Sequence, residues 1–358
     1  MLIYLLVILL ILLFQDHLLR LPKKVSRNKM EVKYLRIVCW VLVLLAALRG
    51  SSVGTDTIGY IADYNAMPKM SFANVLLMYK DYPGYYLLTK TCSLLHLPIQ
   101  FMFGIVTGIY IYAIYQFINR YSRGKLYSIL CFEVIGLYAF SLAGLKQTLS
   151  MAFVLLYFIS LTEKKYIKTI LLALAAYFCH HASLIFLFGV ALYYMRNLRL
   201  YYLYLTVIVA VTLLGTRFIW TNMLGLLNDE HYSELYMEDE GYSTTTMIFY
   251  GVCLLFLFLF SRNYMKRRPK ESRVVLGMST LAFAFQAFAL VSSAAFRFSL
   301  YFLPFMIVGF PNDFNRIGDA NTKRIVKTAV AFMIVFFFVY SNRNGGSVVP
   351  YKFFWQVW

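Results

Sequence analysis

The residues able to do chemistry in this sequence are polar groups placed where long apolar runs end. Arg49 closes one such run and leads into Gly50-Ser51-Ser52-Val53-Gly54-Thr55-Asp56-Thr57. Glycines and small hydroxyls at this density make a tight polar loop. Its free amides, joined by a guanidinium, can hold a phosphate. The same residues also read as an arginine snorkelling at a helix end, backed by a Ser/Thr/Asp turn. Lys146-Gln147 follows Gly144 at the start of another apolar run, where a snorkelling lysine is the plain alternative. His180-His181 lies between two apolar runs. Neighbouring helical positions diverge by about 100°, so one ion cannot readily take both. A single acid–base or donor histidine then competes with an exposed polar turn.

Arg297 is the most telling charge. It sits in Ser292-Ser293-Ala294-Ala295-Phe296-Arg297-Phe298, between strongly apolar stretches and with no acid close by in sequence. Arginine cannot shed its proton, so at this depth it needs a carboxylate, carbonyls or a bound anion. Glu133 and Asp56 are the carboxylates that could pair with it. Arg217 repeats the signal more weakly, and Glu133, itself in mid-run, needs a partner or a proton.

The elements that must position these groups follow from composition. The chain has 358 residues, 61% hydrophobic and only 14% charged, against roughly 45–50% and 25% in soluble domains. A soluble fold and a disordered chain are both excluded. The expected fold is all-α, a polytopic integral membrane protein forming a single transmembrane domain over 1–358. Apolar runs at 1–14, 34–48, 98–118, 126–143, 147–162, 166–180, 182–195, 199–217, 244–261, 274–292, 294–310 and 325–341 predict about 12 transmembrane helices. The first run has its positive residues after it rather than before, so it reads as a retained helix and not as a signal peptide. The short segment 85–97, interrupted by Lys90, reads as a re-entrant or interfacial helix.

The net charge of +18 comes from basic residues between the apolar runs, so it fixes orientation and does not indicate nucleic acid. With 85–97 not spanning, most of the 34 basic residues fall on one side. They lie in cytoplasmic loops, chiefly 20–33, 262–273 and 311–324. Both termini then face outward, as do loops 49–84 and 218–243. The acids Asp229, Glu230, Glu234, Glu238, Asp239 and Glu240 gather in the second outer loop and read as a solvated lid. The five cysteines are scattered, no CxxC occurs, and neither a metal nor a cofactor is implied. Cations and histidines with few carboxylates, all collected on the outer side, suit an anionic lipid-linked substrate. A cation-coupled transporter more often places carboxylates at the midplane in matched repeats.

The same residues carry a family resemblance. Arg49-Gly50, Gly54-Thr55-Asp56-Thr57 and Tyr60 resemble the start of the EpsG family of Wzy-like proteins in bacterial exopolysaccharide and capsule synthesis. Gly84-Tyr85 resembles its Gly-Tyr element. Lys146-Gln147 resembles its Arg-Gln, with lysine replacing arginine. His181-Ala182-Ser183 resembles its His-x-Ser/Thr, with His180 a second choice for the aligned histidine. Arg297-Phe298-Ser299-Leu300-Tyr301 resembles its Arg-(x)-Ser-x-Tyr, and Pro350-Tyr351-Lys352-Phe353-Phe354 its aromatic tail.

The resemblance implies a multi-pass protein of the bacterial cytoplasmic membrane. It would be a metal-independent polymerase joining undecaprenyl-pyrophosphate-linked oligosaccharide repeat units on the outer face, in exopolysaccharide, capsule or O-antigen synthesis. Arg297 and Arg49 would stabilise pyrophosphate, and His181 or His180 would serve as base or position the acceptor. Lys146, Gln147, Asp56, Thr55, Tyr60 and Arg217 would bind substrate. Membrane lipid, a chain-length regulator and a flippase are the implied partners. A flippase, a polysaccharide ligase and an acyltransferase are the alternative functions.

Overall fold

The structure is a computed structural model that describes residues 1–22, 25–225, 244–260, 269–314, 317–342 and 348–356. The acidic cluster within 228–240 lies outside the described residues, as do Lys23, Lys24, Arg316 and the basic run 262–268. Every regular element among the described residues is helical. The chain divides into two compact units, Met1–Leu184 with Arg324–Trp358, and Ile185–Lys323.

The first unit contains α1 (Leu2–Arg20), α2 (Arg27–Ala47), α3 (Thr57–Ala66), α4 (Phe72–Met78), α5 (Pro83–Leu94), α6 (Ile99–Tyr121), α7 (Lys125–Val134), α8 (Leu137–Ala143), α9 (Leu145–Thr162) and α10 (Tyr166–Cys179). Its axis is α9, which packs on α10 and α6, while α2 packs on the far side of α6. Ser150 ties the α9–α10 hairpin by donating to the Ala176 carbonyl at 2.8 Å. At the hairpin's other end, Arg120 and Lys165 pair with Glu163, an exposed arrangement of small energetic weight. Gly104 of α6 lies so close to α2 that a Cβ would stand 3.2 Å from the Ala47 Cβ.

The second unit contains α11 (Leu187–Tyr194), α12 (Leu198–Gly225), α13 (Thr244–Phe260), α14 (Pro269–Gln286) and α15 (Leu303–Phe314); α16 (Ala320–Ser341) starts at its end and returns to the first. Here α14 packs against α12, α13 and α15. Phe186, Phe285 and Phe302 stack at centroid separations of 5.4 Å between successive rings.

Six helices among the described residues are long and apolar enough to cross a membrane, seven if the pair α7–α8 is counted as one span bent by 51°. The chain is a membrane protein. About 12 spans were expected; among the described residues the remaining runs are shorter, broken or more polar than a spanning helix of this length. In α2 the N-terminal half carries Arg27, Lys29, Glu31, Lys33 and Arg36. The run 126–143 breaks at Gly136, whose φ is +99°. Segment 182–195 is a 3-10 turn, His181–Phe186, followed by the eight-residue α11. Segment 294–310 opens as the 3-10 stretch Ser293–Tyr301. The expected short helix near 85–97 is α5. The stretch 49–84, read as a polar loop, instead folds into α3, a 3-10 turn and α4.

Candidate functional site

The first unit gathers most of the expected residues around one end of α9. The loop after α2 is fixed by its own sequence. Gly54 holds φ +99°, and a Cβ there would meet the Leu142 carbonyl oxygen at 2.3 Å. Thr57 turns the chain by donating to the Val53 carbonyl at 2.7 Å. The C-terminal tail straps this loop down. Gly50 N–H donates to the Lys352 carbonyl at 2.8 Å, and Phe354 N–H to that of Leu48 at 2.9 Å. Tyr351 donates to the Leu45 carbonyl at 2.6 Å. Gly54→Ala is therefore expected to destabilise the unit by about 2–5 kcal/mol, through left-handed strain and a clash with backbone. A lowered melting temperature in detergent checks it, and an unchanged one would sink this account of the loop.

Arg49, held between these strands of chain, is 1% exposed. Its Nη1 donates to the Ala46 carbonyl at 2.8 Å, and its guanidinium lies 3.9 Å from the centroid of the Phe103 ring. Nε and Nη2 are buried and have no hydrogen-bond partner among the described residues. Tyr60, Tyr85, Tyr138 and Tyr351 lie close enough to interact with the charge electrostatically. Tyr85 is buried, and its ring is 5.6 Å from that of Tyr60.

Tyr60 is one wall of a second, shared pocket of aromatics. Lys146 Nζ lies 5.9 Å from the Tyr60 ring centroid, 5.5 Å from that of Tyr86 and 4.6 Å from that of Tyr82. The Tyr82 ring also stacks on His180 at 5.3 Å and faces His181 at 5.9 Å. His181 stacks on Tyr177 at 4.5 Å. The two imidazoles reach one tyrosine because they do not share a helix. His180 is extended (φ −164°) where α10 ends, and His181 opens the 3-10 turn. Gln147 is buried beside Lys146 in the first turn of α9. Thr55 is exposed, and Asp56, half-buried, precedes α3.

A carboxylate missed by sequence reasoning belongs to the same wall. Asp63 accepts from Tyr86 at 2.8 Å and from Tyr79 at 3.2 Å, and those rings stack at 3.8 Å. Burial first, and then the Asp63 carboxylate, push both phenols up from their ordinary value, so both stay protonated donors.

The second unit carries the other two expected arginines. Arg297 is half-buried on the 3-10 stretch, which Ser299 anchors by donating to Gln286 Oε1 at 2.9 Å. Arg217 is exposed on α12. In the first unit, both oxygens of Glu133 are buried without a hydrogen-bond partner among the described residues.

A model of the EpsG family matches residues 32–353. The chain belongs to the EpsG family. The last matched residue, Phe353, forms a backbone bridge with Arg49, within the matched region. All the residues gathered above lie within the EpsG match. No curated protein and no solved structure matches the chain.

Proposed function

We propose that this EpsG-family chain is a polysaccharide polymerase, joining undecaprenyl-pyrophosphate-linked repeat units at the outer face of the bacterial cytoplasmic membrane. Membership of the family supports the polymerase class. One observation carries the assignment of the site. A cation in a tyrosine cage (Lys146), two imidazoles on that cage's central ring and a buried guanidinium with two unpartnered nitrogens form one continuous cluster. Aromatic faces suit sugar rings, and the cations suit pyrophosphate.

In this reading the growing chain is the donor. A hydroxyl oxygen of the incoming lipid-linked unit attacks the donor's anomeric carbon. The bond from that carbon to the pyrophosphate oxygen breaks, and its electron pair leaves with undecaprenyl pyrophosphate. Arg49 and Lys146 stabilise the charge that gathers there. His181 or His180 takes the proton from the attacking hydroxyl. Gln147, Asp56, Thr55 and Tyr60 line the approach. Arg297 and Arg217 are assigned to phosphate on charge and sequence pattern alone. The orientation with both termini outside, and a count near twelve spans, belong to the same proposal.

Deleting the gene tests it. The expected result is loss of long polymer with single lipid-linked repeats exposed outside. Repeats trapped on the inner leaflet would make the protein a flippase. Normal chain length with altered attachment or decoration would make it a ligase or an acyltransferase. Arg297→Ala, at unchanged protein level, is expected to reproduce the deletion. Persisting polymer would remove Arg297 from the site.

A further inference from the structure

Next to the cage of Lys146, Tyr82 and His180 lies an apolar groove, lined by Pro83 and Cys179, the neighbours in sequence of Tyr82 and His180. Its volume is about 600 Å³, and its walls include Gly84 and Leu87 of α5, Leu149 and Phe153 of α9, and Ala175 and Phe178 of α10. The helices arrive at the cage together. The start of α5, the start of α9 and the end of α10 all lie at this level, with Tyr82, Lys146 and His180 as their terminal groups. Lys146, Leu149 and Phe153 are three and seven residues apart, on one face of α9. The groove therefore descends about 10 Å along α9 below the ammonium. Gly84 lets α5 approach α10 closely, since a Cβ there would lie 3.1 Å from Cys179 Sγ.

A site with an ammonium and an imidazole at its mouth and apolar walls beneath fits an amphiphile with an anionic head and a hydrocarbon tail. We infer that this groove between α5, α9 and α10 holds the isoprenoid chain of a polyprenyl pyrophosphate whose head group sits at Lys146 and His180. The inference rests on the polymerase reading and locates its lipid. A larger groove, about 750 Å³, runs between α2 and α6 past Trp40 and Gly108. Its lining holds no residue of α5, α9 or α10 and none next in sequence to Tyr82, Lys146 or His180. That groove is left to bulk lipid.

The test uses the full-length protein in vesicles of bacterial phospholipid. The probe is a sugar-free polyprenyl pyrophosphate with a photoreactive group in its chain. Labelled peptides are expected from α5, α9 and α10, centred on Leu87, Phe153 and Ala175. Unlabelled polyprenyl pyrophosphate should compete, and excess phosphatidylglycerol should not. Ala175→Trp fills the groove and is expected to cut labelling about tenfold or more. A short-chain prenyl pyrophosphate probe should label that variant like the wild type, which also shows that the variant is folded. Phe153→Ala widens the groove and should retain long-chain labelling.

Labelling at Trp40 and Gly108 instead, or equal labelling by a photoreactive phospholipid, would overturn the assignment. So would Ala175→Trp labelling as strongly as wild type with the long probe, or weakly with the short one. Because the probe carries no sugar, its result is independent of whether polymer is made. A failed polymerase reading shows in the gene deletion, and a misplaced lipid shows here.

Discussion

Replacing Arg49 with Met is expected to abolish polymer while leaving the protein as stable as the wild type, or more so. The guanidinium is almost wholly buried, yet among the described residues it makes one hydrogen bond, to Ala46, and one ring contact, with Phe103. A charge-assisted hydrogen bond contributes about 1.5–3 kcal/mol, and a desolvated cation–π contact about 2 kcal/mol. The effective desolvation cost of a buried ion is several kcal/mol. The two nitrogens without partners, Nε and Nη2, add their own penalty. On balance the charge does not stabilise its surroundings. Methionine keeps much of the volume, packs on Phe103 and removes the charge.

Function should respond in the opposite direction. Nε and Nη2 are adjacent donors of one planar fork, the geometry that takes two oxygens of a phosphate. Loss of such a preorganised donor set costs a rate factor of about 10²–10³. Arg49→Lys keeps the charge without the fork, and is expected to be nearly as inactive. The measurements are the length distribution of surface polymer, the pool of single lipid-linked repeats and the melting temperature in detergent. An Arg49→Met protein that melts well below wild type would make this arginine a structural brace. Polymer of normal length would remove it from the phosphate chemistry.

What could be read from the sequence follows from how far apart the cooperating residues are. Apolar runs of spanning length announce helices on their own, because in lipid the backbone must satisfy its hydrogen bonds internally. Arg49, Lys146 and the histidines were legible for a related reason. A polar group at the end of such a run is conspicuous against its neighbours. Three things were not legible. The run 126–143 hides a 51° bend, because Gly136 looks harmless in a hydropathy window while its backbone takes the left-handed region. The stretch 49–84 hides short helices, because α3 and α4 have too few turns to show a period. Asp63 hides altogether. Its partners, Tyr79 and Tyr86, are 16 and 23 residues away and belong to other elements. Nothing local distinguishes it from Asp56, which looked the better candidate beside Gly54 and Thr55. Pairing across elements, here between α3 and the α4–α5 segment, is set by tertiary packing and not by pattern.

The same long-range logic makes Tyr82 the residue whose loss should cost most among those absent from any motif. Its ring meets Lys146, His180 and His181. Removing it takes away a cation–π contact of about 0.5–2 kcal/mol and two ring pairs of about 0.5–1.5 kcal/mol each. If these contacts hold the ammonium and the imidazoles in place for the reaction, Tyr82→Ala should slow polymerisation by about a hundredfold, since each 1.4 kcal/mol is tenfold in rate. Tyr82→Phe keeps the ring and should stay within about threefold of wild type by the same scale. The side chain is half-buried and does not cap α5, so the melting temperature should move little in either variant. A double variant separates positioning from general damage. If Tyr82 acts by placing Lys146, then Tyr82→Ala combined with Lys146→Ala should be hardly worse than Lys146→Ala alone, because groups that work as a unit are not additive. Fully multiplied losses would mean that ring and ammonium act separately. A dead Tyr82→Phe would move the role from the ring to its hydroxyl.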